Sequence, residues 1–383
     1  MEAIYLDHNA TTPLRPEALE AMREVLEEVF GNPSSAHWAG TRARSAVEAA
    51  RAQVARLLGA APETVVFTSS ATEANNTVLR SAALRAPQHG DHIVTCVTEH
   101  PSVRELCQDL RREGLRVTEL GVDSDGLLDP ERLAACLDDR TLLVTVMWAN
   151  NETGVVQPIP EIARAAAARG IPFHTDAVQA LGKLELSLAG LPIEFASFSA
   201  HKLGGPKGVG ALYAREGSRF AALLRGGPQE HRRRAGTENV PGIVGFGAAC
   251  EVAGRDLGER SERLGRLRDR LWNGISSAIP EVCLNGSRTE RLPHTLNVAF
   301  LGADGETLVE ALDLAGIAVA SGAACASGST ETSHVLLGMG IPPEAGLGSI
   351  RFSLGAETRD AHITRVLELL PEIVERVRGE KTR

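Results

Sequence analysis

Lys202 has the most chemistry to offer. It lies in the stretch 193–213, IEFASFSAHKLGGPKGVGALY, where the apolar run 195–198 reads as a buried strand. Ser199, Ala200, His201 and Lys202 follow, then a glycine-rich turn and a second apolar run at 209–213. An ammonium group at the end of a buried strand loses hydration, which disfavours its charged form. A fall from about 10.4 to about 7–8 leaves an amine that forms a Schiff base at neutral pH. The plain alternative is a lysine snorkelling out of a loop. A second apolar run, 171–175, follows the helix-like EIARAAAARG and ends on Asp176, with Gln179 one turn on. Helix–strand alternation sets both runs in one mostly parallel sheet, whose carboxyl ends share a crevice. An amine for an aldehyde and a carboxylate for a pyridinium nitrogen are what a pyridoxal phosphate site requires. The competing reading is a metal site drawn from His174, Asp176 and His201, since residues two apart on a strand share a face.

Other residues fit the first reading. The run 65–67 reads as a strand, and Thr68-Ser69-Ser70-Ala71-Thr72-Glu73 joins it to a helix ending near 84. Hydroxyls and free N–H groups at a helix start suit a phosphate, or simply cap the helix. His100, in Thr-Glu-His-Pro, has the type to stack on a cofactor ring and move protons; Asn151, in Asn-Asn-Glu-Thr-Gly, has the type to bond a ring substituent. Each is equally compatible with a turn. Cys325 lies in Ser-Gly-Ala-Ala-Cys-Ala-Ser-Gly-Ser, small residues that make an accessible loop, unlike the apolar settings of Cys96 and Cys250.

The elements that must position these groups alternate along the chain. Helices are expected at 16–29, 41–58, 104–113 and 130–137, and strands at 92–97, 116–120 and 142–147. A long helix over 240–278, bent near Gly254, leads to strands at 296–300, 317–320 and 350–353. The expectation is an α/β chain: a large domain over 13–255 with a mostly parallel, seven-stranded sheet, and a smaller α/β domain from 1–12 and 256–383. Composition excludes several classes. A formal charge of −9 argues against a nucleic-acid binder, and Arg232-Arg233-Arg234 is too short a basic run to reverse that. No apolar stretch approaches a membrane span, and no basic-then-apolar signal opens the chain. Six dispersed cysteines (96, 107, 136, 250, 283 and 325) without a CxxC pair point to free thiols in a reducing, cytoplasmic setting.

Taken together, YLDHNATTP, FGNPSSAH, FTSSATEANN, TEHPSV, ANNETGVVQP, HTDAVQALGK, SFSAHKLGGPKGVGALY, RRAGTENV, SGAACASGS and SIRFSLG resemble, in order, the cysteine desulfurases. These belong to the class V aminotransferase family, with the pyridoxal-phosphate-dependent fold type I. The resemblance implies that Lys202 bonds the cofactor and shuttles a proton, that His100 stacks on its ring, and that Asp176 holds its nitrogen. Asn151 and Gln179 would contact the ring oxygen, and Ala71, Thr72, Ser199 and His201 the phosphate. Thr237 would complete that cup from the second subunit of a homodimer. Arg351 would clamp the carboxylate of L-cysteine, with Asn32 sharing the contact. Cys325 would take the sulfur as a persulfide, leaving L-alanine, and pass it to an acceptor protein such as an iron–sulfur scaffold. No resident metal is expected, although Cys325 could ligate a cluster in transit.

Within the resemblance, selenocysteine lyases and aminotransferases are the alternatives. Ser70 stands where the family usually has Gly, and Ala323 where it usually has Ser. QEHRRRAGTENV is closer to the nitrogen-fixation type, whereas the housekeeping type carries a longer tail after the last helix that docks the scaffold.

Overall fold

A computed structural model describes residues 3–322 and 332–380. Cys325 and Ala323 lie outside the described residues. The first strand, β1 (Ile4–Tyr5), joins a two-stranded parallel ribbon completed late in the chain. Seven strands then build the main sheet: β2 (Val65–Thr68), β3 (His92–Cys96), β4 (Arg116–Leu120), β5 (Thr141–Thr145), β6 (Phe173–Asp176), β7 (Phe195–Ser199) and β8 (Gly210–Ala214). Their order is β2-β8-β7-β6-β5-β3-β4, and β8 runs antiparallel to both of its neighbours. The other paired neighbours are parallel.

Alternation along the strands divides their side chains between two faces. Phe67, Phe173 and Phe198 pack on one face with Val47 and Phe246, and Val66, Leu143 and Phe195 on the other with Leu79 and Leu106. Both faces are therefore covered by helices, as a parallel sheet requires.

After two long helices come β9 (Val282–Leu284), β10 (Thr295–Phe300), β11 (Ile317–Ala318), β12 (Ala320–Ser321) and β13 (Ser349–Ser353). The order β12-β13-β10-β9 makes a four-stranded antiparallel sheet, while β11 pairs with β1. A separate core of Ile4, Leu6, Leu271, Phe300, Phe352 and Val374 lies here.

Two expectations need correction. The single helix over 240–278 is two, Val240–Arg255 and Leu257–Ala278. The break falls at Asp256 (φ −122°, ψ 21°), not at Gly254. There Arg260 pairs with Asp256 and donates to the freed carbonyl of Ala253 at 2.8 Å, so a side chain replaces the lost ladder. The single strand at 317–320 is likewise two short ones, β11 and β12, because each pairs with a different sheet.

Candidate active site

The carboxyl ends of β5, β6 and β7 open on a cleft of about 290 Å³, lined by Ala71, Thr72, His100, Asn151, Asp176, Gln179, Ser199, His201, Lys202 and Arg351. β6 delivers Asp176 as its last residue, in register with Ser197, and the parallel β7 runs two residues further to end on Ser199, so both strands finish at the same edge of the sheet. A short turn of 3₁₀ helix, Ala200–Lys202, then carries the lysine. Lys202 Nζ donates to the carbonyls of Asn9 and Ala10 at 2.6 and 2.7 Å.

Asp176 is buried, and its carboxylate accepts from Asn75 Nδ2 at 2.8 Å and from the Val178 N–H at 3.1 Å. Asn75 also donates to Ser102 Oγ at 2.8 Å, and that hydroxyl lies 2.8 Å from His100 Nδ1. His100 is the N-cap of the helix Pro101–Arg112, accepting the Ser102 N–H on Nδ1 at 3.1 Å. Nδ1 is thus an acceptor, and a neutral imidazole carries its proton on Nε2. Burial lowers the His100 pKa, opposed by Asp176 and reinforced by Lys202. Burial, with Lys202 and Lys207, takes His201 down to about 4. Both rings are neutral at physiological pH.

At the other end, Ser70 caps the helix Ala71–Leu84 through Glu73 N–H (3.2 Å), leaving the N–H groups of Ala71 and Thr72 at the cleft. Gly210 makes this approach possible. A Cβ there would stand 2.6 Å from the Phe198 carbonyl and 2.7 Å from the Ser70 backbone.

Arg351, on β13, is almost fully buried, pairs with Asp7 Oδ1 at 2.6 Å and donates to the Asn151 carbonyl at 2.9 Å. Asn9 ties the two sheets together. Its side chain donates to the Asn151 carbonyl (3.1 Å) and Thr295 Oγ1 (2.9 Å), accepts from His294 Nε2 (2.8 Å), and its N–H donates to Ser353 Oγ (2.9 Å). Beside it, the wholly buried Glu152 is driven by desolvation up to about 7, against the pull of Ser333 and Arg351. Ser333 Oγ donates to its carboxyl group.

Two of the expected residues are elsewhere within one chain. Asn32 and Thr237 are exposed and share a shallow groove with Leu26, Phe30 and Pro33, apart from the Lys202 cleft and from Arg351. The loop bearing Asn32 follows the helix Pro16–Glu28. Conversely, Asn75, Ser102, Asn9 and Asp7 were not singled out from sequence, although each falls inside a segment quoted for the resemblance. Their signal is positional only. Among the described residues no cluster of three or more His, Cys, Asp or Glu side chains could hold a metal. No described helix is long and apolar enough to cross a membrane.

Comparison with known proteins gives this geometry its relatives. The aminotransferase class V family model matches residues 4–366. A protein of Cereibacter sphaeroides named cysteine desulfurase is 51% identical over 381 residues, covering 99% of this chain and 97% of its own. One of Nostoc sp. with the same name is 49% identical over 379 residues, covering 99% and 94%. A solved structure of a NifS-like protein superposes with a TM-score of 0.92 at 37% identity, over 98% of this chain and 100% of that one. The architecture is fold type I of the pyridoxal-phosphate-dependent transferases, and the chain belongs to the class V aminotransferase family, among its cysteine desulfurases.

Proposed function

We propose that this enzyme removes sulfur from L-cysteine with pyridoxal phosphate as cofactor, giving L-alanine and a persulfide on Cys325. The observation that carries the reading is one cleft gathering an amine, a buried carboxylate, a neutral imidazole and a free helix N-terminus in a chain half identical to cysteine desulfurases.

The donor set fits the cofactor. Lys202 offers the amine for its aldehyde. Asp176, held by amide donors and by no direct cation among its hydrogen bonds, offers a negative charge for a ring nitrogen. The Ala71–Thr72 N–H groups, Ser199 and His201 offer donors for a phosphate. When bound, the cofactor supplies an electron sink for the carbon that bears the amino group.

The chain's own residues do the rest. Lys202 would act as the base at the Cα–H, and its nitrogen is seated on the carbonyls of Asn9 and Ala10. His100 donates from Nε2, its orientation fixed through Ser102 and Asn75 back to Asp176. Arg351 receives the substrate carboxylate at the buried end of the cleft. The thiolate of Cys325 attacks the substrate sulfur. An S–S bond forms as the C–S bond breaks, and the carbon takes the electron pair and is protonated to give alanine. Enzyme thiol plus L-cysteine thus balances enzyme persulfide plus L-alanine.

We also read the enzyme as a homodimer in which Thr237 and Asn32 serve the partner's cleft, since one chain's cleft lacks both. Leu19, Leu26, Phe30 and Trp38 support this, being 56–78% exposed along the same flank. Residues 13–255 would hold the cofactor, while 1–12 and 256–383 would carry the thiol. The sulfur would pass to an acceptor protein, an iron–sulfur scaffold being the expected one. The location would be cytoplasmic, a reading supported by the free thiols of the described residues.

The test is alanine and protein-bound persulfide after L-cysteine meets cofactor-loaded protein, with and without dithiothreitol. Alanine with persulfide on Cys325, released as sulfide by the reductant, is expected. Full alanine turnover by Cys325→Ser would overturn the thiol's role.

A further inference from the structure

Lys202 also borders a second cavity, of about 330 Å³, and Lys183 lines that cavity too. Lys183 is part-buried, and its Nζ donates to Gln179 Oε1 at 2.5 Å. Among the described residues no carboxylate forms an ion pair with it. On its other side the Gln179 amide donates from Nε2 to the Asn9 carbonyl at 3.0 Å, the same carbonyl on which Lys202 Nζ rests at 2.6 Å. Two lysines and one amide therefore share a single chain of hydrogen bonds.

A glutamine amide can be turned over at almost no steric cost, exchanging its acceptor for its donors. Here the reverse orientation is blocked at both ends. It would set the amide N–H₂ against the Lys183 ammonium, and the amide oxygen against the Asn9 carbonyl. In the remaining orientation one N–H serves Asn9, and the second is left for an oxygen in the cleft that Gln179 lines. We propose that Lys183 is a positioning residue for the reaction: it fixes Gln179 as a hydrogen-bond donor toward the cofactor's ring oxygen. The inference rests on the reading of the cleft as a pyridoxal phosphate site.

The surroundings leave this task to Lys183. Burial, with the charges of Lys202 and Arg351, pushes its pKa well below that of an ordinary lysine. A neutral lysine still has two N–H donors, so Lys183 goes on donating to Gln179 Oε1 after deprotonation. The other titratable or charged groups around the cavity are His8, Arg15, Glu17, Arg260, His294 and Glu357. Arg15 donates to the Leu203 carbonyl at 3.1 Å, and Arg260 to the Gly182 carbonyl at 2.9 Å. Both glutamates are exposed, and both imidazoles are held below their ordinary pKa by burial.

The experiment is a pH titration of the visible absorbance of cofactor-loaded protein, comparing wild type with Lys183→Met, Gln179→Leu and the double variant. A ring oxygen deprived of its donor holds the neighbouring lysine-nitrogen proton more firmly. The Lys183→Met midpoint is expected to rise by about 1 pH unit, the equivalent of one hydrogen bond. Gln179→Leu should reproduce the rise, and the double variant should add nothing, because both changes break one chain. Lys183→Ala, opening onto the cavity, is the second variant, and ethylammonium should return its midpoint toward that of wild type. A wild-type midpoint in folded Lys183→Met or Lys183→Ala, or fully additive shifts in the double variant, would overturn the proposal. Absence of any cofactor absorbance in wild type would instead overturn the reading of the cleft.

Discussion

Glu152→Gln isolates one buried charge whose cost can be worked out. The Glu152 carboxyl rises from 4.5 in the unfolded chain to about 7 in the folded one because desolvation outweighs the help of Ser333 and Arg351. A raised carboxyl holds its proton better in the folded state, so its contribution is fully present below 4.5 and is lost as pH rises through about 7. At 1.36 kcal/mol per unit, a rise of 2.5 units is a loss of about 3 kcal/mol by pH 8. Glutamine keeps an acceptor for the Ser333 hydroxyl and never ionises. With an unfolding entropy of about 2.1 cal/mol/K per residue, a chain of 383 residues carries about 0.8 kcal/mol/K. The Tm of Glu152→Gln relative to wild type should therefore climb by roughly 4 °C between pH 4 and pH 8. Scanning calorimetry of the two proteins at both pH values measures it. A difference that stays constant with pH would show that folding leaves the Glu152 carboxyl unshifted, and the desolvation argument would fail.

Three further outcomes follow from other contacts. Lys202→Ala should take up pyridoxal phosphate without forming the borohydride-trapped mass adduct that wild type gives; a trapped adduct in the variant would move the amine elsewhere. Glu230→Gln removes the buried one of the two carboxylates on Arg51, which it meets at 2.7 Å, leaving the more exposed Glu48 at 3.2 Å, and should cost about 2–3 kcal/mol in urea unfolding. A loss below about 1 kcal/mol would show the pair to be solvated. Burial pushes the thiols of Cys96 and Cys107 up to about 11 and about 12, and Cys250 higher still, so maleimide at pH 8 should label exposed Cys283 and spare those three. Labelling of Cys96 in native protein would contradict its burial.

What could be read in advance divides by the range of the interaction. Strands and most helices were legible from apolar runs and proline starts, because those signals are local: Pro101 and Pro130 each begin a helix in the structure. That Lys202 and Asp176 meet was legible as well, since neighbouring parallel strands must end at one edge. The supporting contacts were not. Asn75 reaches Asp176 across 101 residues, and Asn9 reaches Thr295 across 286; no periodicity records such pairs. The helix break at Asp256 was misplaced for a related reason. Glycine weakens a helix wherever it stands, but here Arg260 supplies a substitute partner at one position only. Asn32 illustrates the opposite case. Its segment was visible, yet within one chain the fold sets it outside the cleft, in the same groove as Thr237, which was expected to serve a second subunit.

The anchoring of Asn9 has a consequence for biosynthesis. The carbonyl that seats Lys202 leaves the ribosome early, but the groups that hold Asn9 itself, Thr295 and Ser353, emerge after the whole main sheet. During translation the lysine is therefore in place long before its seat is. The seat is completed only at the end of synthesis, when the late antiparallel sheet supplies the partners of the early segment, and a chain stopped short of that sheet would carry the lysine beside carbonyls that Thr295 and Ser353 no longer anchor.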